Sequence, residues 1–240
     1  MWFRRRETIP RLPVLNYHHV HDDEESYFRI RPSMFRSHME LLLNEHYHPL
    51  HPNHLIEFKG HPAIANKKVL VTFDDGYEDF YEHAWPVLRE LAIPTVLFLI
   101  SDHIGKLNTW DLNSPSRRPH LQLEQLKELK SEGVVFGSHT RTHRHLPRLH
   151  PAELDRELRE SKMQLEGLLG TDVRTLAYPG GHASRAARRT TALYYDLGFT
   201  ASTTTRGTGY DPYWIERFDP SFCRNLDEFR YELHKRSNQL

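Results

Sequence analysis

Four shortages narrow the reading before any motif is considered. The 240 residues hold one cysteine, Cys223, so an internal disulfide framework and an all-cysteine zinc site are both excluded. Long apolar runs are missing, and mean hydropathy is −0.68. No stretch approaches the roughly 18 residues of a spanning helix. Charge of one sign is not in excess: Lys+Arg and Asp+Glu each number 32. That removes the basic footprint of a nucleic-acid binder. Fixed-period repeats and low-complexity tracts are also absent. The start, Met1-Trp-Phe-Arg-Arg-Arg, has no apolar segment behind it and does not read as a secretory signal. Location as written is therefore cytoplasmic or membrane-peripheral, or the cell envelope if an upstream signal has been removed. Trp2 and Phe3 beside three arginines would permit peripheral membrane contact, against the plainer reading of a solvated terminus. Oligomeric state leaves no mark in the sequence.

What the chain does have in excess is histidine, 18 residues, nine of them within the first 61. Histidine titrates near neutrality and is the commonest metal ligand. The count alone cannot separate a metal site from ordinary surface residues.

Short apolar runs alternate with amphipathic stretches. Strands are expected at Val14–Tyr17, Val69–Phe73, Thr95–Ile100, Val134–Phe136, Thr175–Tyr178, Phe199–Thr203 and Trp214–Phe218. Helices are expected after Ser33 as an N-cap, from Phe80 to Leu91, Leu121 to Glu132, Pro151 to Leu169, Ser184 to Leu197 with Gly198 closing it, and 225–236. Strands alternating with helices indicate βα units and a mostly parallel sheet. About seven strands without a linker suit one domain over 1–240, with a core near 13–218. A closed or nearly closed α/β barrel fits best, and an open doubly wound sheet is the alternative.

In either architecture the chemistry belongs at the carboxyl ends of the strands. That position selects His18, Asp74-Asp75-Gly76, Ser138-His139 with His143 four residues on, and Pro179-Gly180-Gly181. The His139/His143 spacing carries little by itself, since chance gives roughly 1.3 such pairs in this composition. Its place after a buried strand is what counts. Two imidazoles one helical turn apart and one carboxylate make a three-ligand metal site with a position open for water. Each piece has a plainer reading. Asp-Gly is ordinary turn chemistry, a single histidine is most often a surface residue, and Pro-Gly-Gly turns a chain. Three such coincidences at three strand ends are less probable than one site.

At these residues the sequence resembles the polysaccharide deacetylases, the NodB-homology or carbohydrate esterase family four. The carrying motifs are Thr72-Phe73-Asp74-Asp75-Gly76, Ser138-His139-Thr140-Arg141-Thr142-His143 and Ala177-Tyr178-Pro179-Gly180-Gly181. Tyr17-His18-His19-Val20 resembles the short biofilm-type poly-N-acetylglucosamine deacetylases in particular. The resemblance implies a distorted (β/α)7 barrel, one divalent metal ion (zinc first, with cobalt or nickel as alternatives) and removal of N-acetyl or O-acetyl groups from an N-acetylated carbohydrate. By position it makes Asp75, His139 and His143 metal ligands and Asp74 the general base. Tyr178, Pro179 and Gly180 would form the oxyanion and substrate wall, with the Gly180 N–H on the oxyanion.

Three departures stand out. The arginine that orients the base in the family falls here on Ala177. Arg217 is the candidate replacement, beside the readings of a solvated arginine or a structural ion pair. The family's usual Asp-Trp dipeptide is missing, and Trp214 is read as core before sugar site. The C-terminal Leu-x-x-His that supplies the acid has no counterpart after Phe218, but Leu15-Asn16-Tyr17-His18 has that form. We therefore expect a circularly rearranged order in which the first strand takes the last strand's place and His18 is the acid; His19 and His21 are weaker candidates. Trp110 and Asp111 are candidates to stack on and orient a sugar, with a loop anchor as the other reading. A metal-dependent amidase on a small amide and a catalytically silent carbohydrate-binding relative are the competing functions.

Overall fold

The computed structural model describes residues 12–23, 28–57, 67–112, 116–201 and 211–237. Trp2, Phe3 and residues 202–203 of the expected sixth strand lie outside them. Val14–Tyr17 (β1), Lys68–Phe73 (β5), Thr95–Leu99 (β6), Val135–Ser138 (β7), Thr175–Ala177 (β8), Leu197–Thr200 (β9) and Ile215–Glu216 (β10) form one parallel sheet in the order β1-β5-β6-β7-β8-β9-β10. Beyond β10 the chain returns to β1: Asn16 N–H donates to the Phe218 carbonyl at 2.8 Å and Phe218 N–H to the Val14 carbonyl at 3.0 Å. The result is the expected nearly closed α/β barrel, with β1 between the last strand and β5. Three shorter pieces escaped sequence reading: His19–Val20 (β2) pairs with Arg29–Ile30 (β3), and His48–Pro49 (β4) pairs with the start of β5.

Period-two alternation divides the core. On β5 and β6, Val69, Val71, Phe73, Leu97 and Leu99 pack toward the helices, while Leu70, Val96 and Phe98 join Val14, Ala177, Leu197 and Phe199 inside the ring. The helices are Pro32–Asn44 (α1), Pro52–Glu57 (α2), Trp85–Glu90 (α3), Leu123–Ser131 (α4), Pro151–Leu169 (α5), Arg185–Tyr194 (α6) and Leu226–Arg236 (α7). Several boundaries correct the sequence reading. Ser33 is not the cap of α1; Arg31 caps it and Pro32 takes the first position, where a missing N–H costs nothing. Phe80–Ala84 is a wide π turn that feeds α3, so the helical run from 80 is not one regular helix. Gly198 closes no helix but sits in β9, because a Cβ there would lie 2.4 Å from the Tyr178 hydroxyl oxygen.

One histidine of the early cluster is structural. His38 of α1 is fully buried, 3.1 Å from the Tyr17 hydroxyl and stacked on Phe229 of α7 at 3.9 Å. Burial depresses its pKa to about 3. The folded state thus keeps the ring neutral while the unfolded chain takes a proton below about pH 6.5. Unfolded chains then bind more protons, so this group removes about 1.4 kcal/mol of stability per pH unit as pH falls from about 6.5 toward 3. His38→Leu is expected to lose that acid dependence, at a cost near 1 kcal/mol at neutral pH for the orphaned Tyr17 hydroxyl. Denaturant unfolding at pH 7 and pH 5 measures it; equal falls in stability for wild type and variant would exclude the assignment.

Candidate active site

β5 delivers Asp74 and Asp75 to the carboxyl end of the barrel. Asp75 and Gly76 take φ +70° and +74°, which turns the two carboxylates in different directions. Gly76 is required there as well because a Cβ would meet Leu99 Cδ2 at 2.5 Å.

Asp74 points over the ring interior. Arg217, just past β10, donates from both terminal nitrogens to the two Asp74 oxygens at 2.7 Å each. The same guanidinium donates to Thr72 Oγ1 at 3.2 Å and lies over the rings of Phe98 and Phe199. Its side chain is wholly buried, which overturns the reading of a solvated arginine. Burial pushes the Asp74 carboxyl up, but the paired guanidinium outweighs it and holds the group ionised, well below the usual carboxylate range.

Asp75 faces the other way, toward the β7 loop. Its Oδ1 lies 3.4 Å from His139 Nε2 and 3.5 Å from His143 Nε2. The histidines are not one helical turn apart, as their spacing suggested. They flank a loop in which Thr140 and His143 both adopt positive φ, +69° and +59°, and this conformation brings the two rings to one point. His139 Nδ1 is engaged by the Ala177 carbonyl at 2.8 Å, leaving Nε2 for the site. Burial keeps both imidazoles neutral, His139 near pKa 4 and His143 also well below its ordinary value. Burial pushes the Asp75 carboxyl up to about 7, and its Oδ1 has no hydrogen-bond partner among the described residues.

These residues fit a divalent ion. Ligands at about 2.0–2.1 Å around a tetrahedral zinc are about 3.3 Å apart, close to the 3.4 and 3.5 Å edges found here. An orphaned carboxylate oxygen opposite two neutral imidazoles is the donor set such an ion satisfies.

His18 stands on the far side of Asp74, its Nε2 3.8 Å from Asp74 Oδ2 and its Nδ1 3.2 Å from Asp219 Oδ2. Burial works against its charge, but Asp219 and the two aspartates prevail and raise its pKa to about 9. Trp110 packs on the His143 ring at 3.8 Å and donates to His120 Nε2 at 3.1 Å. His120 Nδ1 in turn meets the Asp75 carbonyl oxygen at 3.0 Å. Asp111 lines the same cavity. Of the three residues expected in the oxyanion wall, Gly180 lines the cavity with Gly181, while Tyr178 and Pro179 do not. Tyr178 is fully buried and donates its hydroxyl to the Tyr213 carbonyl at 2.9 Å.

Sequence reasoning missed Asp219, Glu157 and an aromatic wall. Asp219 had a signal, since it follows the same strand end as Arg217. Glu157 had none: it sits on α5 and reaches the β7 loop only through the packing of that helix. The cavity measures 1040 Å³ and runs from the triad to α7. Phe28, Phe222 and Tyr231, the exposed Phe, Tyr or Trp residues among those described, all line it.

The polysaccharide deacetylase family model matches residues 63–201. YxkH of Bacillus subtilis (strain 168) is 28% identical over 218 residues, covering 89% of this chain and 72% of that protein. A poly-beta-1,6-N-acetyl-D-glucosamine N-deacetylase of Staphylococcus aureus (strain MRSA252) is 25% identical over 191 residues, 70% of this chain and 64% of the relative. In fold, the Streptococcus pyogenes deacetylase PplD, solved in complex with acetate, superposes with a TM-score of 0.79 at 24% identity, over 93% of this chain and 99% of that one. The match over more than half of the sequence, on a nearly closed barrel of mostly parallel strands, places this chain in the polysaccharide deacetylase family.

Proposed function

We propose that residues 1–240 form one catalytic domain, a metal-dependent hydrolase that removes N-acetyl groups from an N-acetylated amino-sugar polysaccharide. The observation that carries this is the pairing of two adjacent carboxylates with opposite duties. Asp75 faces two neutral imidazoles, while Asp74, one residue away, is held ionised by Arg217 and left out of that triad. Asp75, His139 and His143 would hold the ion, zinc before cobalt or nickel given ligand spacings that match a tetrahedral site with one position open. When bound, that ion polarises the acetamide carbonyl and brings a water's pKa to about 7.

The remaining steps belong to the chain. Asp74 accepts the proton of the attacking water, and Arg217 fixes the carboxylate through two parallel hydrogen bonds. The Gly180 N–H is the donor proposed for the oxyanion. His18, kept protonated by Asp219, gives its proton to the departing sugar nitrogen as the carbon–nitrogen bond breaks. Acetate and the free amine leave. A polymer suits the length of the cavity and its three exposed aromatic rings, whose faces match the C–H faces of sugars. The near-zero formal charge of the chain suits an uncharged polymer. Trp110 and Asp111 would flank the reacting sugar on the triad side.

Acetate release from N-acetylglucosamine oligomers tests the reading. Release should stop on chelation and return with zinc. Asp74→Asn should cost about 10²–10⁴-fold in kcat, the usual worth of a general base, with the ion retained; Asp75→Ala should lose the ion. A metal-loaded protein that cleaves small amides but no acetylated sugar, or cleaves neither, would refute the proposal.

A further inference from the structure

A second group of ligand-type side chains lies outside the catalytic cavity's triad, and the function just proposed gives it no task. We propose that His19, His21 and Asp79 form a second divalent-metal site, one that ties β2 to the segment after β5 and so steadies His18.

One ring nitrogen from each histidine and one Asp79 oxygen lie within 4.8 Å of one another. His19 Nδ1 is 2.7 Å from Asp79 Oδ2, and the other Asp79 oxygen accepts from Val20 N–H at 3.3 Å. The two imidazoles stand 5.2 Å apart at 68°. All three residues are buried, His19 6%, His21 5% and Asp79 8% exposed. The decisive member is His21. Both of its ring nitrogens are buried without a hydrogen-bond partner among the described residues. A buried lone pair without a partner is costly, and a cation bound to one of those nitrogens satisfies it.

The charge balance allows a cation. Arg118 acts on His21, but it is paired with Asp23 at 2.9 Å, so Asp79 is left as the net negative charge. Two imidazoles and one carboxylate select zinc or a similar borderline ion over calcium or magnesium. The His19–Asp79 contact is shorter than the roughly 3.3 Å edge around such an ion. Binding through His19 Nδ1 would therefore open that pair by about half an ångström. Tyr77 separates the two sites, stacked on His19 at 3.9 Å and on His120 at 4.8 Å. Because His19 follows His18 directly, an ion here fixes the backbone that carries the proposed acid.

Metal content of the full chain decides it. Protein stripped with chelator and dialysed against Zn²⁺ should hold two ions per chain, and His21→Gln and Asp75→Ala should each hold one. Asp79→Asn, which keeps an acceptor for Val20 N–H, should match His21→Gln. In Asp75→Ala, added Zn²⁺ should still raise Tm, as a ligand of the folded state must; in Asp75→Ala/His21→Gln it should not. Saturation of the wild type at one ion that Asp75→Ala loses would overturn the site, as would two ions left intact by His21→Gln. Failure of the deacetylase reading shows elsewhere, as absent acetate release from protein carrying its ions.

Discussion

Arg217→Met is expected to lower kcat for acetate release by about 10²–10⁴-fold, as much as removing the proposed base, Asp74, itself. The guanidinium touches both Asp74 oxygens at 2.7 Å from a fully buried position. Breaking a buried pair by removing one partner costs about 3–5 kcal/mol, because the other charge stays behind in a poor solvent. The carboxyl escapes that cost by taking a proton, and a protonated Asp74 cannot accept one from water. Ion content should be retained, since Arg217 touches none of the three proposed ligand atoms. Arg217→Lys should recover only part of the rate: the charge returns, but not the planar fork that meets both oxygens. The double variant Asp74→Asn/Arg217→Met should be no slower than Asp74→Asn, since groups acting as a unit are not additive. It should also be more stable than Arg217→Met. Near-normal turnover in Arg217→Met, measured with the metal content of each protein, would remove Arg217 from the machinery.

How far this site could be read from the sequence depends on what fixed each residue. Asp74, Asp75 and His139 follow short apolar runs that read plainly as strands, so position alone marked them. His18 was reached through the Leu15/His18 spacing and its strand-end position, and the pairing of β1 with β5 puts it beside the Asp74 strand. Arg217 was visible as a strand-end residue, but its duty depends on the ring closing, and periodicity carries no information on closure. His143 was marked for the wrong geometric reason. Helical spacing suggested a turn of helix, whereas positive φ at Thr140 and His143 does the work. Neither is a glycine, so no local signal announces that backbone. Boundaries failed where a neighbour overruled local preference, as when the Tyr178 hydroxyl demanded Gly198 in a strand. Most of the histidine excess proved uninformative, and His38 shows why: a stacked, neutral core ring is indistinguishable in sequence from a ligand.

The positive-φ loop needs something to hold it, and Glu157 of α5 is that support. Residues in such conformations cost about 1–3 kcal/mol each and persist only when their surroundings impose them. The buried Glu157 carboxylate accepts from Arg141 N–H at 3.1 Å, Thr142 N–H at 2.9 Å and the Thr142 hydroxyl at 2.5 Å. It thereby pins the two residues between Thr140 and His143. Glu157→Ala would strand these donors, each worth about 1–3 kcal/mol when buried and unmet, so a loss near 3 kcal/mol is expected. For a chain of this size that lowers Tm by about 6–12 °C. The freed His143 should cost metal affinity about 10–100-fold, the usual penalty for losing support behind a ligand. Glu157→Gln separates the causes. Its carbonyl oxygen can take the place of the oxygen that accepts both N–H groups, and its amide can donate to a rotated Thr142 hydroxyl. Stability and metal affinity should then stay close to wild type. Thermal unfolding and competition for zinc with a chromophoric chelator measure both quantities. Glu157→Ala with wild-type Tm and affinity would show that the loop holds its shape unaided.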